Sequence, residues 1–130
     1  MSDKKNMRRI SVLVTAQTAY NLDKLAAMCG ELEWASYCRG QGYDCRRTAQ
    51  YCGNTGDASD VVGLPGIHQE VKRVERLDLE AAMAQAKHDA PPWEYPIVAH
   101  RRSRCEWLVT MRAEDWFSLY REWEAGRERT

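Results

Sequence analysis

The fold of this chain is decided by residues 60–73, which read DVVGLPGIHQEVKR. Asp60 opens a short apolar run, a turn follows at residues 64–66, and a second run carries Glu70 and Lys72. Because side chains alternate between the two faces of a strand, Glu70 and Lys72 point to the same face. The tight turn folds Asp60 back beside Glu70. The stretch therefore predicts a β-hairpin that gathers two carboxylates and one ammonium group.

Such a cluster is costly to bury unless a cation offsets the two negative charges. Hard oxygen ligands suit Mg²⁺, which usually takes one or two carboxylates and keeps several waters. We therefore expect Mg²⁺ at Asp60 and Glu70, with Mn²⁺ as a substitute. The simpler interpretation of the same residues is a surface ion pair between strands, worth ~0–1 kcal/mol.

The pattern formed by Asp60, Glu70 and Lys72 resembles the PD-(D/E)xK nuclease superfamily. Within it, the chain is most similar to Holliday-junction resolvases and their phage-encoded relatives, from about Gly30 to the C-terminus. In those families a helix glutamate precedes the glycine-aromatic pair that starts the first strand. Glu31 stands in that register before Gly42 and Tyr43.

The resemblance implies a metal-dependent DNA endonuclease that hydrolyses phosphodiester bonds in branched DNA. It implies that Asp60 and Glu70 bind the metal together with the carbonyl of Val71, and that Glu31 completes the catalytic set. Lys72 would orient or deprotonate the attacking water, or stabilise the transition state. A flap or duplex nuclease is the nearest alternative within this class of enzyme.

Three residues compete with these assignments. Glu33 is a rival of Glu31, and because about 200° separates them around a helix, only one can face the site. Asp57 is a spare carboxylate, although Asp60 directly precedes strand-like residues. His68 shares a strand face with Glu70, which allows a catalytic role, although a contact to DNA or plain surface exposure is the preferred interpretation.

Candidate DNA contacts surround the acidic cluster. Duplex DNA carries about one negative charge per 1.7 Å of axis, and a loop rich in glycine and small polar residues can bring backbone N–H groups against a phosphate. The predicted DNA-binding residues are Arg47, Tyr51, Asn54, Thr55, Arg73, Arg76, Lys87, Arg101 and Arg102.

Composition is that of an ordinary soluble protein. The 130 residues are enough for one domain with a modest core. Lys plus Arg and Asp plus Glu both number 19, so net charge does not itself indicate a nucleic-acid partner. No apolar run is long enough to span a bilayer. The five cysteines match no common zinc or disulfide spacing, which favours reduced thiols and a cytoplasmic location in a bacterial or phage-infected cell.

We divide the chain into an N-terminal strand-helix extension, residues 1–29, and a nuclease-like domain, residues 30–130. A strand over residues 10–15, a helix capped by Thr15 or Thr18, and a boundary or kink at Gly30 are expected. The extension resembles the first half of a ribbon-helix-helix unit. A non-catalytic DNA-binding protein that uses the Arg8/Arg9 strand is therefore the alternative from another functional class.

The remaining pattern predicts an α/β, restriction-endonuclease-like fold, with a mixed β-sheet flanked by helices. We expect helices over residues 31–39, 77–88 and 113–124, and strands over residues 43–48, 97–101 and 106–111. Leu32, Ala35 and one of Tyr37 and Cys38 are expected to face inward. Aromatic residues at helical spacing near the C-terminus (Trp116, Tyr120 and Trp123, with Leu119) indicate either core or the face of a homodimer.

Overall fold

The computed structural model describes residues 15–48 and 59–128. This part of the chain contains three helices and one sheet of five strands. The helices are α1 (Ala16–Gly40), α2 (Leu79–Asp89) and α3 (Ala113–Glu128), and the strands are β1 (Arg46–Arg47), β2 (Val61–Val62), β3 (Ile67–Arg73), β4 (Tyr95–Arg101) and β5 (Leu108–Met111). Residues 10–14 of the predicted strand and the predicted sites Tyr51, Asn54, Thr55 and Asp57 lie outside the described residues.

The strands follow one another across the sheet in chain order, β1-β2-β3-β4-β5. Neighbours are antiparallel except β3 and β4, which are parallel and joined by α2. The sheet is therefore mixed, as the sequence predicts, and the protein is of the α/β class. No helix in residues 15–48 and 59–128 has the length and apolar character needed to cross a membrane.

The hairpin predicted at residues 60–73 is present as β2, a turn and β3. The turn closes with a hydrogen bond from the N–H of Ile67 to the carbonyl of Leu64, 3.0 Å long. Gly63 has φ +127°, and a Cβ there would lie 2.4 Å from the carbonyl oxygen of Asp44. Only glycine fits both the backbone angle and this close approach. The hairpin therefore lies directly against the chain that leads into β1.

The first helix is longer than expected. Thr15 caps it, because its side chain accepts a hydrogen bond from the N–H of Thr18 at 3.1 Å. The helix then continues through Gly30 to Gly40, so the expectation that a helix ends at Gly30 is wrong. A Cβ at position 30 would lie 2.9 Å from the Cβ of Arg73. Glycine is needed for close packing of the helix on β3 rather than for ending the helix.

One face of the sheet is covered by the second half of α1. The core there contains Trp34, Ala35, Val71 and Ala99, together with Cys38, Cys45 and Val61. Ala35 and Cys38 face inward as predicted, but Leu32 and Tyr37 are about half exposed, and Trp34 takes the buried position instead. Helical periodicity alone therefore identifies Ala35 and Cys38 as inward-facing, but it selects Leu32 where the packing buries Trp34.

The opposite face of the sheet is covered by α2. Asp78 caps this helix by accepting from the N–H of Ala81 at 3.1 Å, and Ala82 and Ala86 pack on Val98. Strand β4 begins at Tyr95, two residues earlier than predicted, and includes the buried Pro96. Pro96 is tolerated because β5 pairs with β4 only from Ile97 onward, so no ladder bond is lost there.

The C-terminal helix presents an exposed aromatic face. Trp116 and Tyr120 stack with ring centroids 5.4 Å apart, and Tyr120 lies 5.5 Å from Trp123, yet all three rings are exposed, as is Phe117. Within the described residues the buried position of α3 is Asp115, paired with Arg112 at 2.8 Å. The interpretation of these aromatics as core is therefore wrong, because the three rings are 39–54% exposed.

Candidate functional site

The β2–β3 hairpin brings Asp60 and Glu70 together, as predicted. The N–H of Asp60 donates to the carbonyl of Gln69 at 3.0 Å, which continues the ladder one step beyond β2. Its carboxylate turns back and accepts from the N–H of Val71 at 2.9 Å. From this position the Asp60 carboxyl is close enough to Glu70 for the charge of Glu70 to raise its pKa. Two carboxyl groups thus meet beside the middle of β3.

Val71 contributes backbone groups to the same place. The N–H and C=O of one strand residue project to the same side of the strand. Because the N–H of Val71 meets Asp60, its carbonyl also projects to the Asp60 side of β3. The Val71 carbonyl is therefore oriented toward the carboxyl pair, although its role as a ligand stays a prediction.

The carboxyl pair is electrostatically unfavourable when both groups are ionised. Burial, followed by the negative charge of Glu70, raises the pKa of Asp60 to about 7. The hydrogen bond from Val71 acts in the opposite direction, and the charge of Glu31 adds a smaller upward contribution to the pKa. Two buried carboxylates in contact cannot both ionise cheaply. A proton or a cation is needed between them at neutral pH.

Helix α1 presents both candidate glutamates, but on different sides. Glu31 is near enough to influence Asp60 and forms an ion pair with Arg47 of β1. Glu33 instead binds Arg73 at 2.8 Å and Arg101 at 2.9 Å. Glu31 is thus the glutamate on the Asp60 side, while Glu33 joins α1 to the ends of β3 and β4.

His68 lies in a buried polar chain beside Glu70. Its Nε2 is 3.0 Å from Oε1 of Glu70, and its Nδ1 is 2.9 Å from Oγ of Ser59. His68 is fully buried, and Glu70 and Ser59 are 2% and 5% exposed. The expectation that His68 contacts DNA or lies on the surface is therefore wrong. Helix α2 covers this face of the sheet, so the side chain points into the protein.

The charge of His68 depends on opposing effects. Burial acts to lower its pKa, whereas the hydrogen bond and negative charge of Glu70 act to raise it, and the net result is a raised pKa. Glu94 and Asp89 add smaller upward contributions. Because the Glu70 carboxylate can only accept, the Nε2 of His68 carries a hydrogen and donates it.

Lys72 lies on the same strand face as Glu70, as predicted, and is half-buried. Among the described residues it has no ion pair or hydrogen-bond partner. Its neighbour across the parallel pair is His100, whose Nε2 lies 2.9 Å from Oγ1 of Thr110. Burial lowers the pKa of His100. The neighbour of Lys72 across the strand pair is therefore a neutral side chain and not a counter-ion.

The predicted DNA-binding residues fall into three groups. Arg47, Arg73 and Arg101 are already paired with glutamates of α1, and Arg101 also lies over the ring of Trp107 at 5.2 Å. Exposed side chains that remain for an external anion are Arg76, Lys87 and Arg102. The loop residues Tyr51, Asn54 and Thr55 lie outside the described part.

The carboxylates of Asp60 and Glu70 fit one divalent cation, and they supply two side-chain ligands. Asp60 and Glu70 supply hard oxygen ligands. Because their negative charges repel each other, the pair can release a proton and bind a metal ion in its place. In residues 15–48 and 59–128, no group of three His, Cys, Asp or Glu side chains is spaced to hold a metal. The four cysteines of that part, Cys29, Cys38, Cys45 and Cys105, are free thiols, and burial raises the pKa of Cys38 to about 12.

No family model, curated protein or solved structure matches this chain. Any function must therefore be argued from the site itself. Sequence reasoning overlooked Ser59 and undervalued His68. Two signals in the sequence indicated these residues. His68 and Glu70 are two positions apart on one strand and so share a face, and Ser59 directly precedes Asp60.

Proposed function

We propose that this protein is a metal-dependent DNA endonuclease, similar to the Holliday-junction resolvases of the PD-(D/E)xK superfamily. The observation that carries the proposal is the position of the Asp60 carboxylate, which accepts from the N–H of Val71 on β3 and lies near enough to Glu70 to feel its charge, with Lys72 on the same face of β3 as Glu70. A mixed sheet with helices on both faces agrees with a restriction-endonuclease-like fold. The cytoplasm, where DNA is accessible, is the proposed location.

The proposed mechanism assigns a role to each residue of the cluster. Asp60 and Glu70 would hold Mg²⁺ or Mn²⁺, with the Val71 carbonyl as a third ligand. The bound cation would polarise the scissile phosphate and neutralise the charge that develops on its oxygens. Glu31 would extend the acidic site from the helix side, where Arg47 fixes its side chain.

Lys72 would act on the attacking water or on the phosphate. Its ammonium group has no carboxylate partner among the described residues, and the neighbouring His100 is neutral because burial lowers its pKa. A positive charge that is not already paired can stabilise the additional negative charge of the transition state. The half-buried position strengthens this interaction, because less water screens it.

DNA is the proposed partner. Arg76, Lys87 and Arg102 are exposed cations that can bind phosphates, whereas Arg47, Arg73 and Arg101 would have to exchange glutamate for phosphate or act by shaping the site. A four-way junction has near two-fold symmetry, and a homodimer would present one site to each strand that is cut. The exposed aromatic face of α3 supports a second copy as the partner of this helix.

The test is cleavage of a labelled four-way junction and of linear duplex with the same sequence, with Mg²⁺ or with EDTA. Wild type is compared with Glu70→Gln and Lys72→Ala, and with Glu80→Gln as a control on the exposed first turn of α2. Metal-dependent paired nicks in the junction, lost in the first two variants and kept in the control, would support the proposal.

Other results would change the function assigned. Equal cutting of junction and duplex would retain the nuclease and remove the junction specificity. If folded wild type binds DNA and cuts neither substrate, the enzyme proposal fails and the non-catalytic DNA-binding protein replaces it.

A further inference from the structure

We propose that His68, held by Ser59, is a positioning residue that fixes the carboxylate of Glu70 for binding a divalent cation. The inference rests on the proposed metal site and adds residues outside the Asp-Glu-Lys pattern. It starts from an unusual feature of the sheet face under α2: three polar side chains are buried in a row, and each contacts the next.

The hydrogen bonds of this row are fully matched. The Ser59 hydroxyl oxygen accepts from the N–H of Gln69 at 3.3 Å and lies 2.9 Å from Nδ1 of His68, to which it donates when the ring is neutral and from which it accepts when the ring is protonated. The imidazole then carries its hydrogen on Nε2 and donates to Oε1 of Glu70. Nε2 donates to Glu70 whether the ring is neutral or protonated, so the ring orientation follows from the two partners.

This arrangement limits the freedom of Glu70. The terminal torsion of a glutamate is broad, so an isolated carboxylate samples many orientations. A donor held on one oxygen by a fully buried ring restricts that torsion and orients both oxygens. Carboxylate ligands of metal sites are commonly held by a second residue in this way, and loss of the second residue typically weakens metal binding about 10- to 100-fold.

A nucleophilic role for Ser59 is disfavoured by the same geometry. A serine, a histidine and a glutamate in a row resemble the components of a catalytic triad. Here, however, Ser59 is 5% exposed, and its oxygen is already engaged by the backbone of Gln69. The row ends at Glu70, where the carboxyl pair lies, and this is the group that the row can orient.

The experiment measures metal binding without catalysis. The melting temperature of the full chain is recorded during a titration with MnCl₂, which yields an apparent Kd for Mn²⁺. Wild type is compared with His68→Leu, which removes the donor, and with His68→Gln, whose side-chain amide can still donate to Glu70. His88→Gln is the control, because His88 is exposed on α2 and contacts Asp89.

We expect an apparent Kd about 10- to 100-fold weaker in His68→Leu and close to wild type in His68→Gln and His88→Gln. If His68→Leu binds Mn²⁺ as wild type does, the positioning role is overturned. The same holds if His68→Gln is impaired as severely as His68→Leu, because the loss would then reflect packing rather than the hydrogen bond.

Two further measurements keep the inference separate from the proposed function and from folding. Asp60→Asn must abolish the Mn²⁺ effect; if it does not, or if wild type shows no effect, the metal site itself fails and the positioning role with it. If His68→Leu does not fold, Ser59→Ala replaces it, and an unchanged Kd in that variant overturns the role of the buried row.

Discussion

The carboxylate of Asp60 caps the backbone N–H of Val71, on the strand that carries Glu70 and Lys72. One aspartate therefore closes the hairpin and contributes half of the acidic pair. Asp60→Ala should destabilise the protein by about 1–3 kcal/mol, because it leaves this N–H without an acceptor. Asp60→Asn should avoid this cost, since its amide oxygen can accept the same bond. Urea unfolding at pH 5 compares the two variants.

The pH dependence of stability should identify the strained carboxyl pair. The pKa of Asp60 is raised from its ordinary 3.8 to about 7 in the folded protein, so the folded state binds this proton more tightly than the unfolded chain. Its contribution is fully present below pH 3.8 and is lost as pH rises through 7. Metal-free wild type should therefore lose stability relative to Asp60→Asn between pH 4 and pH 8.

The measurement is thermal unfolding of both proteins in EDTA across this range. We expect the difference in free energy of unfolding to grow toward high pH by roughly 4 kcal/mol, because a pKa change of about three units corresponds to about 1.4 kcal/mol per unit. Mn²⁺ should remove the wild-type loss at pH 8 and leave Asp60→Asn unaffected. A difference that is constant with pH would mean that Asp60 ionises normally.

Lys72→Met should separate catalysis from metal binding. In the proposed mechanism Lys72 stabilises charge on the scissile phosphate, so its loss should lower kcat on a cleavable junction by about 100-fold or more. Mn²⁺ binding should be unchanged or tighter, because one repelling charge is removed from the site. Lys87→Met, on the exposed side of α2, should reduce only the salt-dependent affinity for DNA. Equal kcat in wild type and Lys72→Met would remove Lys72 from the mechanism.

Gly30→Ala tests the packing of α1 on β3. Alanine favours a helix by about 1 kcal/mol, yet its Cβ would meet Arg73 at 2.9 Å, so we expect a net loss of about 1–3 kcal/mol. Gly126→Ala in α3 has no atom within 4 Å of the added Cβ and should be neutral or stabilising. The measurement is the denaturant midpoint of both variants and of wild type. A Gly30→Ala variant more stable than wild type would contradict the close contact.

Trp34→Phe tests a buried hydrogen bond between helix and sheet. The indole N–H of Trp34 donates to the side-chain oxygen of Gln69 at 2.8 Å, and the side-chain nitrogen of Gln69 has no partner among the described residues. Removal of the donor should cost about 1–3 kcal/mol. Trp93→Phe, at 80% exposure, is the control and should change the free energy of unfolding little.

The aromatic face of α3 should control self-association. Trp116→Ser with Trp123→Ser removes two exposed rings and should leave the unfolding midpoint of dilute protein nearly unchanged, since neither ring is in the core. In sedimentation velocity the double variant should be monomeric at concentrations where wild type dimerises. Trp93→Ser is the matched exposed control. A wild type that stays monomeric at all concentrations contradicts the homodimer.

The sequence predicts the hairpin well because its signals are local. Alternation fixes which side chains share a face of β3, and the turn residues fix where the chain reverses. The choice between Glu31 and Glu33 required the structure, since both lie on one helix and only packing determines which side meets β1 and which meets β4. His68 illustrates the same point: its face follows from the sequence, but its burial depends on α2.

Helix α3 and Gly30 show two further limits of prediction from the sequence. A stripe of Trp116, Tyr120 and Trp123 predicts an apolar face, but not what covers that face. Glycine within a helical pattern predicts a weak point when only propensity is considered, whereas here the missing Cβ allows Arg73 to approach. Close approach between elements distant in sequence leaves no periodic signal.

The continuity of α1 has a consequence for variation in its length. The helix contacts the sheet from Gly30 onward, whereas residues 16–29 are largely exposed. One residue inserted before Gly30 would leave the core in register, but would rotate everything N-terminal to it by about 100° and shift it by about 1.5 Å. The length of the exposed half of α1 can therefore vary without disturbing the packing of Gly30–Gly40 on the sheet.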